Sequence, residues 1–561
     1  MMYDIYLMPV IIITFYFLSI LISIIGYGYV SSKIFKIDIS HKDLALYGLL
    51  GIVVLTFISY LTNLFVAHNF IHNLVILIFG ISFFFSAFFK DKINQKSFIK
   101  ILFAALILLS LSLLSKTHDD FGWYHLPYTL NIAQNKFQFG LGHFNHGFRT
   151  PSSIFYLNSL FYLPVIKFYS FNFAQLYIFL FGLIFFYKKI SLKNRNSITF
   201  FYSLLAFIFT IIVFYRLAEH GTDRSGQLVI FIAIIFLLEI VKNHLINFKR
   251  VNLLIIFLIY IITIKTYFII FTILFLPLIF KFKYDSELYK KLLFTKIILF
   301  LTLFMLMHFN IQLGNTGCLF YPMNFTCFSN FTWSINKEEI LLMAEHYELW
   351  SKSGANPNFR IENPSDYIAN FNWIPRWFSE YFFTKISDLI FGIILILTIS
   401  YFVFKNTAQR ISITNFRGII GILFCILITF IIWFTKFPQL RYGGFIILAN
   451  IFFLPFCIYL LNFELNNKIL KKAKILVAIS IIIFSGRNID RILFEVEFYE
   501  YKPLQNTYFR IEQPKYEKKM LNDNIILNRT NGPCWSIPQP CARSNVIQAK
   551  KNKNYIIYWR Q

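Results

Sequence analysis

Charged residues are scarce in this chain and almost absent from its long apolar runs. Only 14% of the 561 residues are Asp, Glu, Lys or Arg, whereas 57% are hydrophobic and 20% are aromatic. Apolar stretches of helix length recur along most of the chain, which is the pattern of a polytopic helical membrane protein. The shortage of charge excludes a soluble enzyme, and the predicted fold class is an all-α polytopic membrane protein.

Acidic residues are the rarer of the two charge types. The chain has 27 Asp and Glu against 53 Lys and Arg, a formal net charge of +26. In a soluble protein this excess would suggest nucleic-acid binding, but most short-loop Lys and Arg fall in alternate loops between apolar runs. That distribution is the positive-inside signal of membrane proteins. The lipid bilayer is therefore an expected partner, and nucleic acid is not.

Three further features are missing from the sequence. The first apolar run has no small-residue cleavage site after it, so we expect a retained helix and not a removed signal peptide. No clear internal repeat is visible, which disfavours a transporter. The cysteines lack C-x-x-C spacing and neighbouring His residues, which disfavours a zinc site.

The positive-inside rule predicts about thirteen or fourteen membrane segments. The single spans are predicted near residues 7–31, 44–65, 72–89, 101–115, 171–187, 198–217, 227–241, 292–309, 386–404, 418–434, 444–462 and 475–486. Residues 252–280 are ambiguous. As one helix they would place the following lysines outside, against the charge bias. We favour two short helices with a turn at Lys265-Thr266-Tyr267 over one span from which Lys265 snorkels.

This topology predicts a transmembrane domain over residues 1–486 and an extracytoplasmic C-terminal region over 487–561. Two long loops of the transmembrane domain, 116–170 and 310–385, lie on the same outer face. The expected location is the inner membrane of a bacterium, with the active face toward the periplasm.

The six cysteines fit this orientation. Cys318 and Cys327 lie in one predicted outer loop, and Cys534 and Cys541 lie in the tail. The other two, Cys425 and Cys457, lie within apolar spans. Because each outer pair is close enough in sequence to close a small ring, two local disulfides in an oxidising compartment are predicted. Four unpaired thiols are the alternative.

The most informative motif is the acidic pair Asp119-Asp120, directly after the apolar run 101–115. Carboxylates at the mouth of a membrane helix cost free energy near hydrocarbon and are functional candidates by default. Alternatively, one of them caps the helix that follows. Adjacent carboxylates also suit Mg²⁺ or Mn²⁺, but Lys and Arg alone could neutralise a phosphate, so a metal is not required.

The loop after the acidic pair is predicted to lie on the membrane. Trp123 is an interfacial aromatic, and four other apolar side chains recur at helical spacing: Phe121, Tyr124, Tyr128 and Ile132. This pattern predicts an amphipathic helix in the headgroup plane. A second helix is predicted to begin at Thr150-Pro151 and to run to about Pro164, with Thr150 as its cap.

Chemistry at a membrane surface would use both signs of charge. A carboxylate can act as general base on a sugar hydroxyl, while cations stabilise a departing lipid phosphate. Asp119 or Asp120 is the candidate base. The substrate-binding candidates on the same face are His125, Arg149, Asp223, Arg224, Lys265 and Arg441. Each cation could instead anchor the chain to anionic lipid, which is the preferred interpretation for Lys436.

The stretch Lys-Thr-His-Asp-Asp-Phe, residues 116–121, resembles the C-type (GT-C) glycosyltransferases, whose first large extracytoplasmic loop carries an acidic motif. In that superfamily the motif usually follows the first membrane helix, whereas here it follows the fourth. Three motifs together with the acidic pair are similar to an uncharacterised family of bacterial integral membrane proteins: Tyr124-His125-Leu126-Pro127, Gly317-Cys318-Leu319-Phe320-Tyr321-Pro322 and Cys534-Trp535-Ser536-Ile537-Pro538-Gln539-Pro540-Cys541.

The superfamily resemblance implies an enzyme that uses a polyprenyl-phosphate-linked sugar, with Asp119 or Asp120 as base and Asp223 with Arg224 as a second acidic or phosphate-contacting site. The predicted function is inverting transfer of that sugar to an envelope glycan, lipid or protein acceptor. The alternatives are a lipid-linked polysaccharide polymerase or ligase, which would use arginines and a histidine such as His220, a lipid-linked sugar flippase or transporter, and a non-catalytic scaffold of an envelope complex.

Overall fold

The computed structural model is helical over 72% of the chain, which agrees with the predicted all-α polytopic class. It describes residues 8–112, 117, 120–191, 197–216, 221–242, 247–282, 295–355, 361–405, 416–498, 511–543 and 546–560. Within these residues the apolar runs of the sequence form helices, because a helix satisfies every internal backbone hydrogen bond without water.

The α-helices before residue 283 are α1 (Met8–Ile34), α2 (Leu44–Asn63), α3 (Phe70–Phe88), α4 (Gln95–Leu111), α5 (Leu126–Gln134), α6 (Ser153–Ser159), α7 (Phe173–Ser191), α8 (Ser197–Val213), α9 (Asp223–Lys242), α10 (Phe248–Ile264) and α11 (Leu276–Phe282). The later ones are α12 (Lys296–Thr316), α13 (Lys337–Lys352), α14 (Pro364–Ile368), α15 (Ile374–Trp377), α16 (Ser387–Lys405), α17 (Arg417–Lys436), α18 (Gly444–Leu460) and α19 (Asn467–Phe498).

Eight helices among the described residues are long and apolar enough to cross a membrane: Val10–Ile34, Leu44–Asn63, Phe70–Phe88, Phe168–Ser191, Asp223–Lys242, Lys296–Thr316, Ile374–Lys405 and Arg417–Lys436. Three shorter helices are also apolar: Ser197–Val213, Thr266–Lys281 and Gly444–Leu460. The chain is therefore a multi-pass membrane protein, while the finer count of about thirteen or fourteen segments stays a prediction.

Close backbone contacts hold the first three helices together. A Cβ on Gly26 of α1 would lie 2.0 Å from the carbonyl oxygen of Gly80 in α3. A Cβ on Gly28 would lie 1.7 Å from the carbonyl oxygen of Tyr47 in α2. Only glycine permits such crossings, and close approach of this kind drives helix association inside membranes. Helix α2 packs in turn on α7, so these helices support the centre of the bundle.

The ambiguous stretch 252–280 reverses direction at Lys265. Helix α10 ends at Ile264, and a 3₁₀ segment, Thr266–Phe275, leads into α11. Lys265 contacts Asp223 at the start of α9, whereas Lys281 contacts the Ile240 carbonyl near the end of α9. The chain thus returns along α9 after the turn, as the favoured prediction of two short segments requires.

Three of the loops predicted to share the inner face lie together at one end of the bundle. The ion pairs at this end join Lys188 to Asp43 (2.8 Å), Lys249 to Asp38 (2.9 Å), and both Lys189 (2.6 Å) and Arg250 (3.0 Å) to Glu239. The candidate site residues lie at the other end of α9. These three basic loops therefore share one end of the bundle, and the cytoplasmic side assigned to them stays a prediction.

The C-terminal tail forms short strands, which the sequence analysis did not predict. Strands β1 (Glu517–Met520), β2 (Ile526–Arg529) and β3 (Cys541–Ala542) form one sheet in that order, antiparallel and then parallel. Strands β4 (Ile547–Asn552) and β5 (Tyr555–Arg560) form an antiparallel hairpin. Helix α19 extends past Arg487, so the predicted domain boundary at 487 lies within a helix.

Both predicted disulfides are present. The S–S distance is 2.09 Å between Cys318 and Cys327 and 2.11 Å between Cys534 and Cys541. The remaining two cysteines are buried in helices α17 and α18, also as predicted. Each disulfide closes a local ring, so each braces one loop and does not join distant parts of the chain.

The first outer loop differs from its prediction in two ways. The segment after the acidic pair is helical, as a π-helical turn (Phe121–His125) and α5, but every residue from 126 to 133 is buried. It is not an amphipathic surface helix, because α6 and the tail cover it. The second helix begins at Ser153 and ends at Ser159, since Ser152, and not Thr150, accepts the hydrogen bond from Ile154 that caps it.

Candidate functional site

Four charged side chains from four separate segments meet at one end of the bundle. Asp223 accepts a hydrogen bond from Lys265 on one carboxylate oxygen (2.6 Å) and from Arg441 on the other (3.0 Å). Arg441 also lies 3.5 Å from a carboxylate oxygen of Asp120. We call these four residues the charged cluster. It joins the first outer loop to residues far along the chain.

Local structure places three members of the charged cluster. Asp223 is the first residue of α9, where the positive end of the helix dipole stabilises a carboxylate. Lys265 directly follows α10, where the negative end stabilises a cation. Arg441 lies in a 3₁₀ turn, Leu440–Tyr442, and Gly443 follows with a φ of +95°, a conformation that favours glycine.

The charged cluster is recessed but accessible. The exposed fractions of the side chains are 18% for Lys265, 19% for Asp223, 29% for Asp120 and 32% for Arg441. Asp223 bridges both cations, so it holds them at a fixed spacing. Asp120 is the more exposed carboxylate. A ligand approaching this end of the bundle therefore meets Asp120 and Arg441 before it meets Asp223.

Aromatic side chains surround the charged cluster. The Tyr124 hydroxyl donates a hydrogen bond of 2.9 Å to Asp120. The Lys265 ammonium lies 4.5 Å from the centroid of the Tyr442 ring, and the Arg441 guanidinium lies 5.6 Å from that of Trp350. Rings at these distances attract cations through their quadrupole.

Burial shifts the pKa of three groups at the charged cluster. It lowers the pKa of Lys265 to about 8, an effect that Asp223 opposes and Arg441 reinforces. It raises the pKa of Tyr124 well above its usual value, and the negative charge of Asp120 adds to this. It lowers the pKa of His146, while Asp120 acts in the opposite direction. At neutral pH Lys265 is therefore cationic and Tyr124 is a hydrogen-bond donor.

Three of the predicted site residues lie outside the charged cluster. Arg149 is buried, pairs with Glu339 and donates hydrogen bonds to the Gly142 carbonyl (3.1 Å) and the Tyr321 hydroxyl (2.8 Å). It therefore ties the first outer loop to the segment that carries the first disulfide. His125 is buried against Phe155.

The third of these, Arg224, lies over the Phe445 ring, 5.9 Å from its centroid. Lys436, predicted to be a lipid anchor, is 60% exposed and lies 3.8 Å from Glu348. Asp119 and His220 fall outside the described residues. Of the acidic pair, the structure thus describes Asp120 alone.

Sequence reasoning missed the aromatic partners of the charged cluster. Tyr124 lies four residues after Asp120, a helical spacing at which a hydroxyl can reach a carboxylate, so this contact had a local signal. Tyr442 adjoins Arg441 in sequence. Trp350 and His146 had no such signal, because their positions near the site depend on how separate loops pack.

A small cleft lies against Trp123, the residue before Tyr124, whose hydroxyl contacts Asp120. It is lined by Trp123, Phe144, Asn145, Phe148, Gly532, Cys534, Cys541, Ala542 and Arg543. The Arg543 guanidinium lies 5.0 Å from the centroid of the Trp123 ring. The cleft thus combines aromatic faces with an amide and a cation, and the tail supplies one of its walls.

The tail is fitted closely against the segment that carries Asp120. The Trp535 backbone N–H donates to the Gly122 carbonyl at 3.0 Å. A Cβ on Gly122 would lie 2.4 Å from the Trp535 ring, so only glycine permits this contact. Likewise, a Cβ on Gly147 would lie 2.2 Å from the Tyr124 ring. Both glycines therefore keep Tyr124 and its neighbours in place.

The described part of the chain contains no group of three or more His, Cys, Asp or Glu residues placed to hold a metal ion. The two carboxylates of the charged cluster contact Lys265, Arg441 and the Tyr124 hydroxyl instead. In this arrangement, cationic side chains are the groups available to neutralise a bound phosphate.

A family model, Domain of unknown function (DUF8201), matches residues 8–448 of the chain. The match covers most of the sequence, and the protein belongs to this family. No curated protein and no solved structure matches the chain. All four residues of the charged cluster lie within the matched range, whereas the strands of the tail lie beyond it.

Proposed function

We propose that this protein is a membrane glycosyltransferase that moves a sugar from a polyprenyl-phosphate-linked donor to an envelope glycan, lipid or protein acceptor. The observation that carries the proposal is the charged cluster. Its four side chains come from distant segments of a membrane protein, where each charge costs free energy. An acid–base and phosphate-binding role offers a reason for that cost.

The proposed reaction is an inverting displacement. The oxygen of the acceptor hydroxyl attacks the anomeric carbon of the donor sugar, and the bond from that carbon to the phosphate oxygen breaks. The hydroxyl proton passes to Asp120, and polyprenyl phosphate leaves with one more negative charge. Lys265 and Arg441 stabilise this charge as it develops. The products are the glycosylated acceptor and polyprenyl phosphate.

The two carboxylates have different tasks in this mechanism. Asp120 is the more exposed, and the Tyr124 hydroxyl orients it. It is therefore the proposed base. Asp223 contacts both cations, so it is a positioning residue that holds Lys265 and Arg441 at the spacing a phosphate needs. The roles assigned to Asp119 and Arg224 by the resemblance stay predictions.

The cleft beside Trp123 is the proposed place for the acceptor. Aromatic faces stack on the apolar faces of sugar rings, and amide and guanidinium groups bind their oxygens. Trp123 is followed directly by Tyr124, which contacts Asp120. An acceptor sugar bound there would lie against the segment that carries the proposed base.

The two disulfides support a periplasmic active face in a bacterial inner membrane. Cys318–Cys327 lies in the segment that Arg149 joins to the first outer loop, and Cys534–Cys541 lines the cleft beside Trp123. Both are on the same end of the bundle as the charged cluster. Disulfides persist in the periplasm and are rare in the cytosol.

The test is a transfer assay with the purified full-length protein in lipid nanodiscs. The donors are undecaprenyl-phosphate-linked glucose, mannose and arabinose, and a cell-envelope extract supplies acceptors. Release of undecaprenyl phosphate is measured by mass spectrometry. The double variant Asp119→Asn, Asp120→Asn should lose transfer by about 10²–10⁴-fold, the range for loss of a general base.

The matched control is Asp388→Asn, which removes an exposed carboxylate from the start of α16. It should transfer at the rate of the unaltered protein. Undiminished transfer by the double variant would refute the role of the acidic pair. If no donor of the panel is consumed, the donor class proposed here is wrong.

A further inference from the structure

A hairpin closed by the first disulfide follows α12. We call residues 318–327 the disulfide hairpin. Cys318 and Cys327 are joined both by the disulfide and by an isolated β-bridge, and the Leu319 N–H donates to the Thr326 carbonyl at 3.0 Å. The hairpin's own covalent and hydrogen bonds therefore fix its shape. It has no part in the proposed transfer reaction.

The disulfide hairpin is apolar, and its tip is exposed. It contains no Lys, Arg, Asp or Glu. Phe325 is 87% exposed, the largest value among the large hydrophobic side chains that the structure describes. Met323, two residues earlier, and Phe328, directly after the hairpin, are exposed as well. Because apolar area is favoured out of water, an apolar environment would stabilise this tip.

The helices α2 and α3 show how far apolar surface extends at this end of the bundle. Both are candidate membrane spans, and Phe65 and Ile71 in and beside the turn between them are exposed. Phe137 links this turn to α12. Its N–H donates to the Asn63 carbonyl at 2.8 Å, and a Cβ on Gly314 would lie 2.3 Å from its ring. Gly314 of α12 is therefore level with the end of α2.

The disulfide hairpin folds back along α12. This helix ends at Thr316, yet Phe320 packs against Phe309, with the ring centroids 5.0 Å apart. Phe309 lies five residues before Gly314, which at about 1.5 Å per residue is about 7.5 Å deeper in the bundle. The hairpin thus overlaps in height with the last turns of a membrane span.

The hairpin also lies at the end of a lipid-facing stripe of α12. Leu299, Leu303 and Leu306 are exposed and recur at helical spacing on this candidate span. In a membrane protein such a stripe faces lipid. Phe309 is three residues after Leu306, so it continues the same row, and Phe320 packs on it. The lipid-facing surface therefore leads directly to the disulfide hairpin.

We propose that the disulfide hairpin inserts its tip, Met323 and Phe325, into the adjacent lipid leaflet. Apolar side chains of interfacial segments are buried about 5–10 Å into the boundary between headgroups and acyl chains. The absence of charge from the hairpin suits this depth. Lipid is the occupant that the structure favours, because lipid already borders the helix against which the hairpin packs.

The other side of the hairpin is fixed to the first outer loop. The buried Tyr321 hydroxyl accepts a hydrogen bond of 2.8 Å from Arg149, which also pairs with Glu339 of α13. The hairpin thus connects the lipid leaflet to the loop that carries Asp120. Insertion of its tip would hold that loop at a fixed height above the bilayer, whatever reaction takes place there.

The experiment is photocrosslinking of the full-length protein in lipid nanodiscs. The variant Phe325→benzoylphenylalanine keeps an aromatic side chain and, on irradiation, forms a covalent bond with the group it contacts. Mass spectrometry then identifies the adduct. Leu299→benzoylphenylalanine is the lipid-facing control, and Lys518→benzoylphenylalanine, in the exposed and mostly charged strand β1, is the water-facing control. Position 325 should give several-fold more phospholipid adduct than position 518 and an amount similar to position 299.

A yield of lipid adduct at position 325 no higher than at position 518 would overturn the proposal. A covalent dimer in place of the lipid adduct would also overturn it, and would assign the tip to a contact between two copies of the chain. If the Phe325 variant is not produced, Met323→benzoylphenylalanine serves, because Met323 is exposed at the same tip. The readout does not use sugar transfer, so it succeeds or fails independently of the proposed reaction.

Discussion

Helix α9 carries an ion cluster at each of its two ends. The difference between them distinguishes a structural ion pair from a candidate functional site. At the inner end, Glu239 pairs with Lys189 and Arg250, and its side chain is 6% exposed. At the outer end, Asp223 pairs with Lys265 and Arg441, and its side chain is 19% exposed. One carboxylate bridges two cations in both places.

The difference lies in what surrounds each pair. The inner cluster is closed, and its geometry is what a structural ion pair between helices requires. The outer cluster includes a second carboxylate, Asp120, which Tyr124 orients and which is 29% exposed. An ion cluster alone is therefore no evidence for catalysis. A second, accessible carboxylate beside shared cations is the feature that separates the two ends.

The largest expected effect separates the two ends of α9 directly. Asp120→Asn should reduce transfer by about 10²–10⁴-fold, since the proton acceptor is lost, with little change in thermal stability. Glu239→Gln should instead lower the thermal stability and leave transfer nearly unchanged. Removing one partner of a buried ion pair costs up to about 3–5 kcal/mol, whereas the charged cluster stays intact. Transfer rates and thermal unfolding in detergent measure both effects.

If Glu239→Gln reduced transfer as strongly as Asp120→Asn without loss of stability, the distinction between the two clusters would be wrong. The thermal unfolding measurements need the same detergent and lipid content for both variants, because bound lipid itself raises the unfolding temperature.

A second prediction concerns the pH dependence of the outer cluster. The pKa of Lys265 is lowered to about 8, so its ammonium is charged below that pH and neutral above it. Affinity for undecaprenyl phosphate should therefore fall by up to about tenfold as the pH rises from 7 to 9, with uptake of a proton on binding at the upper end. Isothermal titration calorimetry in two buffers of different ionisation enthalpy measures both quantities.

The variant Lys265→Arg is the control for this pH effect, because guanidinium does not lose its proton in this range. Its affinity should be independent of pH between 7 and 9. A pH dependence that persists in this variant would assign the titration to another group, and His146 would be the next to test, since burial lowers its pKa as well.

The smallest expected effect concerns the tail, which lies beyond the family match. Gly122→Ala should displace Trp535, because the new Cβ would lie 2.4 Å from its ring. We expect the KM for acceptor to rise a few-fold, about 1 kcal/mol, with kcat nearly unchanged. Steady-state kinetics with the envelope acceptor measures this. Gly221→Ala is the matched control, since a Cβ there meets nothing within 4 Å. A fall in kcat alone would show that the tail supports Asp120 and not the acceptor cleft.

Much of the architecture follows from local features of the sequence. The membrane class follows from composition, the two disulfides from short cysteine spacings, and the turn at Lys265 from a single charge within an apolar run. The burial of α5 does not follow from local sequence, because α5 is covered by α6 and by a tail that lies hundreds of residues later. The same holds for Arg149, whose partner Glu339 lies in another loop.

By itself, the sequence determined that this is a multi-pass membrane protein, since that follows from side-chain hydrophobicity and the recurrence of apolar runs. Only the tertiary structure decided which of several candidate cations meet the carboxylates. Arg441 reaches Asp223 across 218 residues, whereas the described contacts place Arg149 at Glu339 and Arg224 over the Phe445 ring. The physical reason is that charge pairing acts over a few ångströms, and helix packing alone sets those distances.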